Sequence, residues 1–434
     1  MKKNSFELSF IALKNIVEND VPFRIAIKSL IKNEKGLDNE VVSTVSMVLG
    51  ANLRHYYLLE DLLKKEFEGI EGDDRFYLSI FLSDALFTKK FEYKFLEKEL
   101  NKRLVNKVNN LEELFNKYSS LDSINIYRDQ LKEGTISEFD YLSIRYNTPL
   151  WLIKMWNKHF PKSLRLILKS NIHECDTSLA VNTKRMSLEE VLKDPIFKKS
   201  NYEDMVLYSG KKAKNLPLVQ EQVLYPLRES ERYIFDELDL NDEDRIVIYS
   251  EQKGNNIPLK VKELIKRTNW VKYLTNSHED YAKTRKYVAS EMDREKSSVN
   301  NFITYRVDRK DINICLIDEE EKNDIFFLLP LSSNFDEIRH SPDYLLHFNK
   351  DSLDELINAQ KSLLNEADKY LKPGGRIVYI VPTLCNKEGR NLINSFLKDK
   401  NYELIKDRQF FPYSEYRSAL YFAIIKKKGQ SQDD

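Results

Sequence analysis

The stretch Leu371–Asn386, LKPGGRIVYIVPTLCN, constrains this chain more than any other. Apolar residues recur at helical spacing from about Leu353 and stop at Lys369–Lys372, because Pro373 has no amide hydrogen with which to carry a helix on. Gly374 and Gly375 then allow the positive φ of a tight reversal. Ile377–Val381 is an unbroken apolar run of strand length, as in a buried strand. Helix, turn and buried strand in that order specify a parallel α/β sheet, whose ligands and reacting groups gather at the carboxyl ends of its strands. Pro382 stands at that end.

At 434 residues the chain can hold two or three domains with sizeable cores. Its 69 Lys+Arg and 69 Asp+Glu cancel, so any surface for nucleic acid has to be local. Cys175, Cys315 and Cys385 lack the paired spacing of a disulfide framework or a structural zinc site, and a reducing cytoplasm suits them. The longest apolar run, Ile325–Leu331, is far short of a membrane span, and Lys14 and Glu18 interrupt the first apolar segment. The expectation is a soluble, cytoplasmic protein with no membrane partner and no metal.

Residues 1 to about 135 carry helical periodicity: Phe10, Leu13, Ile16 and Val17, then Ile25, Ile27, Leu30 and Ile31, then Val41, Val45, Val48 and Leu49. Between Asp140 and Met186 eight basic residues face only Glu174 and Asp176, a local excess of six positive charges. Trp151 and Trp156, five apart on an amphipathic segment, read as core, with the lysines solvating the other face or contacting RNA. Glu229–Asp244 is acid-rich and reads as a solvated helix face, with a docking surface for a basic protein as the alternative. Strands are expected at Arg245–Ser250, Val271–Leu274, Asn313–Ile317, Asp324–Leu329 and Tyr421–Lys426. Glu279 and Asp280 open a helix, His278–Met292, where acidic first-turn residues are routine dipole partners.

Pro373–Tyr379, PGGRIVY, resembles the closing motif of the Sun/NOP family of S-adenosylmethionine-dependent RNA cytosine-5 methyltransferases, which continues Thr-Cys-Ser with the Cys as nucleophile. Here those positions are Val381, Pro382 and Thr383. Leu49–Arg54 resembles the central helix of the NusB-like domain that precedes some family members, where Gly50 would permit a close helix crossing. Arg145–Leu152 and Leu179–Lys184 resemble the family's linker signature and a later strand, and Arg339–Asp343 resembles its Arg-Arg-x-Pro-Asp. The resemblance implies an α+β multidomain chain: a NusB-like helical bundle over 1–138, a small RNA-binding subdomain over 139–226, a Rossmann-like methyltransferase sheet over 227–428 and a polar tail over 429–434. It implies RNA contact at Arg145, Asn147, Lys154, Lys184 and Arg185.

The same resemblance exposes departures. Of the family's glycine-rich cofactor loop only Gly254 survives. No carboxylate follows the Val271–Leu274 strand before Glu279. The family's Asp-Ala-Pro-Cys-Ser, whose Asp holds the target base, is Leu328-Leu329-Pro330-Leu331-Ser332, with Leu331 at the second Cys. The first reading is therefore an RNA- or ribosome-binding protein, on small-subunit rRNA, without catalysis and with no cofactor favoured. The alternative is a divergent, active rRNA cytosine-5 methyltransferase that uses S-adenosylmethionine, with Cys385 as nucleophile. A third is a scaffold for transcription or ribosome-assembly proteins.

Overall fold

The computed structural model describes residues 3–34, 36–105, 108–120, 123–173, 175–210, 213–252, 270–285, 301–308, 312 and 322–429. Gly254 and its loop, the expected strand at Asn313–Ile317 with Cys315, the Met292 end of the expected helix and the residues 430–434 lie outside them. The chain divides into two compact units: Met1–His173 with Glu337–Lys350, and Glu174–Asp336 with Asp351–Asp434. Of the segment 139–226, the part up to His173 belongs to the first unit and the strands, with the short helices among them, to the second.

The first unit is helical: α1 (Ser5–Glu18), α2 (Phe23–Asn33), α3 (Asn39–Arg54), α4 (Tyr56–Glu66), α5 (Gly72–Ser83), α6 (Tyr93–Arg103), α7 (Leu111–Ser120), α8 (Ser123–Lys132), α9 (Glu138–Tyr146), α10 (Leu150–His159) and α11 (Leu164–Asn171). Apolar spacing explains them, since Phe6, Leu13 and Ile16 of α1 are buried together with Val48, Leu49 and Leu53 of α3 and Leu78, Phe81 and Leu82 of α5. Helix α3 stops at His55 and α4 starts anew, so Leu58 and Leu62 lie on a separate helix from Leu49. Gly50 does not serve a helix crossing: a Cβ built there would meet only Arg54 of its own helix, at 3.3 Å.

Segment 337–350 completes this unit from far along the chain. The Asp343 carboxylate accepts from the Phe23 amide at 2.7 Å and so caps α2, whose own N-cap, Pro22, offers no side-chain acceptor. Arg24 donates to the His340 carbonyl, His347 sits between Asp20 and Asp343, and Trp151 stacks on Phe348. Trp156 is buried, as its spacing predicts.

The second unit holds two sheets. A four-stranded antiparallel sheet has the order β2-β3-β1-β4, from β1 (Thr177–Val181), β2 (Phe197–Lys199), β3 (Met205–Tyr208) and β4 (Leu224–Pro226), with short helices α12 (Leu188–Val191) and α13 (Pro217–Gln220) alongside in sequence. Helix α14 (Glu229–Asp236) leads into the larger sheet, β5 (Arg245–Ser250), β6 (Trp270–Thr275), β7 (Asn301–Arg306), β8 (Asn323–Leu329), β9 (Leu371–Val381), β10 (Tyr402–Phe410) and β11 (Leu420–Lys427). Its order is β10-β11-β9-β8-β5-β6-β7, parallel from β9 to β7 and antiparallel at β11 and β10.

Both faces of the parallel strands are covered, which is why they read as continuous apolar runs. Ile246, Ile248, Ile325, Phe327, Val378 and Ile380 pack with Ile234 and Phe235 of α14. Val247, Tyr249, Phe326, Leu328, Ile377 and Tyr379 pack on the other face with Leu363 and Leu364 of α15 (Lys350–Lys369) and Leu392, Ile393 and Phe396 of α16 (Arg390–Asp399). Each such apolar side chain contributes roughly 1.5–3 kcal/mol.

Two expectations change and one strand is new. The Pro-Gly-Gly segment is not a reversal outside the strand: β9 begins at Leu371 and runs through it, with the register against β8 shifting between Asn323 and Ile325. Gly374 takes φ +80° there, and a Cβ on Gly375 would lie 2.9 Å from the Asp324 carbonyl oxygen. The glycines thus serve a bulge and a close strand approach. Strand β7 escapes the sequence reading, although Phe302, Thr304 and Arg306 alternate with Ile303 and Tyr305. The acid-rich run Glu229–Asp244 is a solvated face only in part: Glu229 is buried against Ser200, Asn201 and Arg417, Glu231 pairs with Arg228, Asp236 with Arg232, Glu237 with Lys406 and Asp244 with Arg376. Five of its carboxylates thus pair within the fold, while Asp239, Asp242 and Glu243 stay exposed.

Candidate functional site

The strand order reverses between β5 and β8, and an open α/β sheet binds its ligands outside the carboxyl ends of the strands at such a point. A cleft of about 430 Å3 lies there, lined by Glu251 after β5, Asn276 after β6, Leu331 after β8, and Ser352, Glu355, Leu356 and Ala359 of α15. The Glu251 carboxylate is buried and accepts from the Tyr249 hydroxyl at 3.0 Å and the Leu331 amide at 3.2 Å. The Asn276 Oδ1 has no hydrogen-bond partner among the described residues.

On the other side of β8 a polar network joins the strand ends. Gln252 donates from its side-chain amide to the carbonyls of Pro330 and Ile380, both at 3.3 Å, tying the ends of β8 and β9 together. Ser333 and Thr383 hydroxyls lie 2.8 Å apart, and Ser332 donates to the Pro382 carbonyl at 3.4 Å. The Glu388 carboxylate, fully buried, accepts from the Ser333 amide at 2.8 Å, the Gln360 side chain at 3.0 Å and the Thr383 hydroxyl. Burial raises the Glu388 pKa and these donors oppose the rise.

The sequence-derived positions fall as follows. Pro382 stands at the end of β9 without a reactive group, and Leu331, 41% exposed, presents an isobutyl chain to the cleft. Cys385 is fully buried, and burial, with Glu388 nearby as the second cause, pushes its thiol up to about 12. A nucleophilic cysteine needs the reverse, an exposed thiol with a depressed pKa. Residues 278–285 are helical, with Glu279 paired to Lys283 and Asp280 buried, so neither offers a free carboxylate after β6. Glu251, Gln252, Asn276, Gln360 and Glu388 have no local signature; burial of polar types next to strand ends was their sole signal.

Arg145 and Lys154 are exposed on the first unit and Lys184 and Arg185 on the second. Asn147 is committed to the fold: it caps α9 at φ +47°, accepts from the Tyr57 amide and donates to the Leu53 carbonyl at 2.7 Å. Its side chain holds the α3–α4 corner, and RNA would have to compete with two backbone groups for it.

No family model matches the chain. Among solved structures, PH0851 superposes with a TM-score of 0.70 at 16% identity over 97% of both chains. Two shorter ones follow at TM-score 0.54: a methyltransferase homolog protein from Pyrococcus horikoshii, at 16% identity over 67% of this chain and 100% of that one, and NSun6 from Pyrococcus horikoshii, solved with SFG, at 13% identity over 65% and 99%. This chain shares the fold of these structures. A curated relative, ribosomal RNA small subunit methyltransferase B of Xanthomonas campestris, is 36% identical over 61 residues, a stretch that is 14% of this chain and 14% of that protein.

A methyltransferase fold implies S-adenosylmethionine, and the cleft meets part of that requirement. It has the volume, and the unpartnered Asn276 oxygen at the end of β6 can accept from a ribose hydroxyl. Asn276 is a weaker acceptor than a carboxylate at that place. Bound there, the cofactor would supply a methyl group, and the described residues would hold its ribose.

Proposed function

We propose that this chain is a divergent Sun/NOP relative that binds RNA, in the setting of small-subunit rRNA, without transferring a methyl group. The observation that carries this reading is the state of the β8 and β9 ends: Leu331 and Pro382 where cysteines would react, and Cys385 buried with its thiol protonated at neutral pH. Cytosine-5 chemistry begins with a thiolate adding to the ring, and among the described residues neither Cys175 nor Cys385 supplies one at the end of the sheet. Exposed Lys184 and Arg185 support phosphate contact, as do Arg145 and Lys154. The helical unit takes the role of a NusB-like RNA- or protein-binding domain. No described helix is long and apolar enough to cross a membrane, and a cytoplasmic location suits the proposal.

Binding of a short rRNA hairpin by the full chain tests this reading. The double variant Lys184→Glu, Arg185→Glu is expected to weaken binding and to lower the slope of log K against log salt by about 1.8, two phosphates at about 0.9 each. An unchanged affinity and slope would remove the second unit's basic residues from the interface.

The orphaned Asn276 oxygen favours a second reading, in which the cleft still binds S-adenosylmethionine. Calorimetric titration decides between them: micromolar binding abolished by Asn276→Leu supports the second, and no heat at millimolar ligand supports the first.

A further inference from the structure

A buried carboxylate costs several kcal/mol unless donors surround it, so a chain that keeps one at a strand end keeps it for the contacts it makes. Glu388 contacts three separate elements. It takes the Ser333 amide from the loop after β8, the Thr383 hydroxyl from the loop after β9 and the Gln360 amide from α15. Gln360 donates onward to the Leu331 carbonyl at 2.8 Å, and Thr383 receives the Cys385 amide at 3.0 Å. The Glu388 backbone is fixed as well: its amide donates to the Cys385 carbonyl at 3.0 Å and its carbonyl accepts from Tyr379 at 2.9 Å. On one side of β8 a cleft is open; on the other these bonds, with those of Gln252 and Ser332, bridge the two loops at several points.

We propose that Glu388 is the positioning residue that seals the β8–β9 end of the sheet, confining ligand access to the β5–β6 side and denying a flipped base entry between Leu331 and Pro382. A base taken out of its stack needs a pocket in which to lodge, and the sealed loops offer none. RNA held by this chain therefore lodges no base between Leu331 and Pro382. That last consequence rests on the RNA-binding reading, whereas the seal does not.

Cys385 reports on the seal, because it is fully buried inside the loop that Glu388 closes, and the half-buried Cys175 provides a reference in the same molecule. Iodoacetamide labelling of the folded full-length chain, read at each cysteine by mass spectrometry, is expected to find Cys385 protected relative to Cys175. Glu388→Ala opens both loops and should speed Cys385 labelling about tenfold or more with Cys175 unchanged. Glu388→Gln, which keeps an acceptor for Ser333, should stay within about threefold of the parent chain. Thr383→Val removes the hydroxyl link at constant volume and should also accelerate labelling, which covers the case of an Ala variant that does not fold. Equal labelling of Cys385 in the folded Ala or Val variant and the parent overturns the proposal, as does a Gln variant as reactive as Ala. For the RNA consequence, a hairpin carrying pyrrolocytosine should bind without a rise in fluorescence. A severalfold rise on binding overturns the seal, and failure to bind overturns the RNA reading while the labelling result stands.

Discussion

His55 ends α3 by donating its amide to the carbonyls of Ala51 and Asn52, and its imidazole stacks on Phe87 with ring centroids 3.9 Å apart. Burial, with the charge of Arg54 second, lowers its pKa from 6.5 to about 4. Between those values the unfolded chain binds the extra proton and the folded one does not, so stability is full above pH 6.5 and is lost as the pH falls towards 4. At most about 3 kcal/mol is involved. His55→Phe keeps the stack and removes the titration, so its urea midpoint should fall less between pH 7 and pH 4.5 than that of the parent chain; an equal fall would clear His55 of the effect. At this scale the sequence reveals what is missing more readily than what replaces it. Pro382 and Leu331 cannot react whatever surrounds them, and that is legible from residue type alone. Glu388 and Gln252 act through partners such as Ser333, 55 residues away, and Ile380, 128 away, separations that no local pattern encodes.

Among the elements, the parallel strands were legible because burial on both faces writes itself as an apolar run. Strand β9 was legible only in its second half. Its first half holds Pro373, Gly374 and Gly375, whose ordinary meaning is a turn, and the neighbouring strand overrides that meaning by pairing on both sides of the bulge. Strand β7 stayed hidden because its alternation includes Asn301, Thr304 and Arg306, polar residues at the last place in the sheet. The bulge gives a direct prediction. Gly375→Ala drives a methyl to 2.9 Å from the Asp324 carbonyl and 2.8 Å from Leu371, and β8 and β9 cannot both keep their register around it. Urea unfolding followed on the second unit should show a loss of about 1–3 kcal/mol. A loss below about 0.5 kcal/mol would mean that the bulge yields freely.

At the scale of the molecule, fold class and the order of helical and α/β parts follow from periodicity, but the excursion of 337–350 into the helical unit does not, because contact between Phe23 and Asp343 crosses 320 residues. That excursion is measurable. Residues 1–173 alone leave the α2 N-terminus without the Asp343 cap and Trp151 without Phe348, so this fragment should melt lower than the same unit in the full chain, and a peptide of residues 337–350 added in trans should raise its melting temperature. The rescue should be strongest between about pH 4 and 6.5. The lowered Asp343 pKa keeps its contribution above the ordinary 3.8, and the raised His347 pKa keeps its contribution below the ordinary 6.5. No effect of the peptide at any pH would sever the segment from the unit. The discontinuity also sets a clock on synthesis. A ribosome adding about 5–20 residues per second needs roughly 10–35 seconds to travel from His173 to Lys350. For that interval the newborn helical bundle waits outside the exit tunnel with α2 uncapped and one aromatic face bare, exposed to chaperones and proteases until a strap of chain made in the second half of translation arrives to finish it.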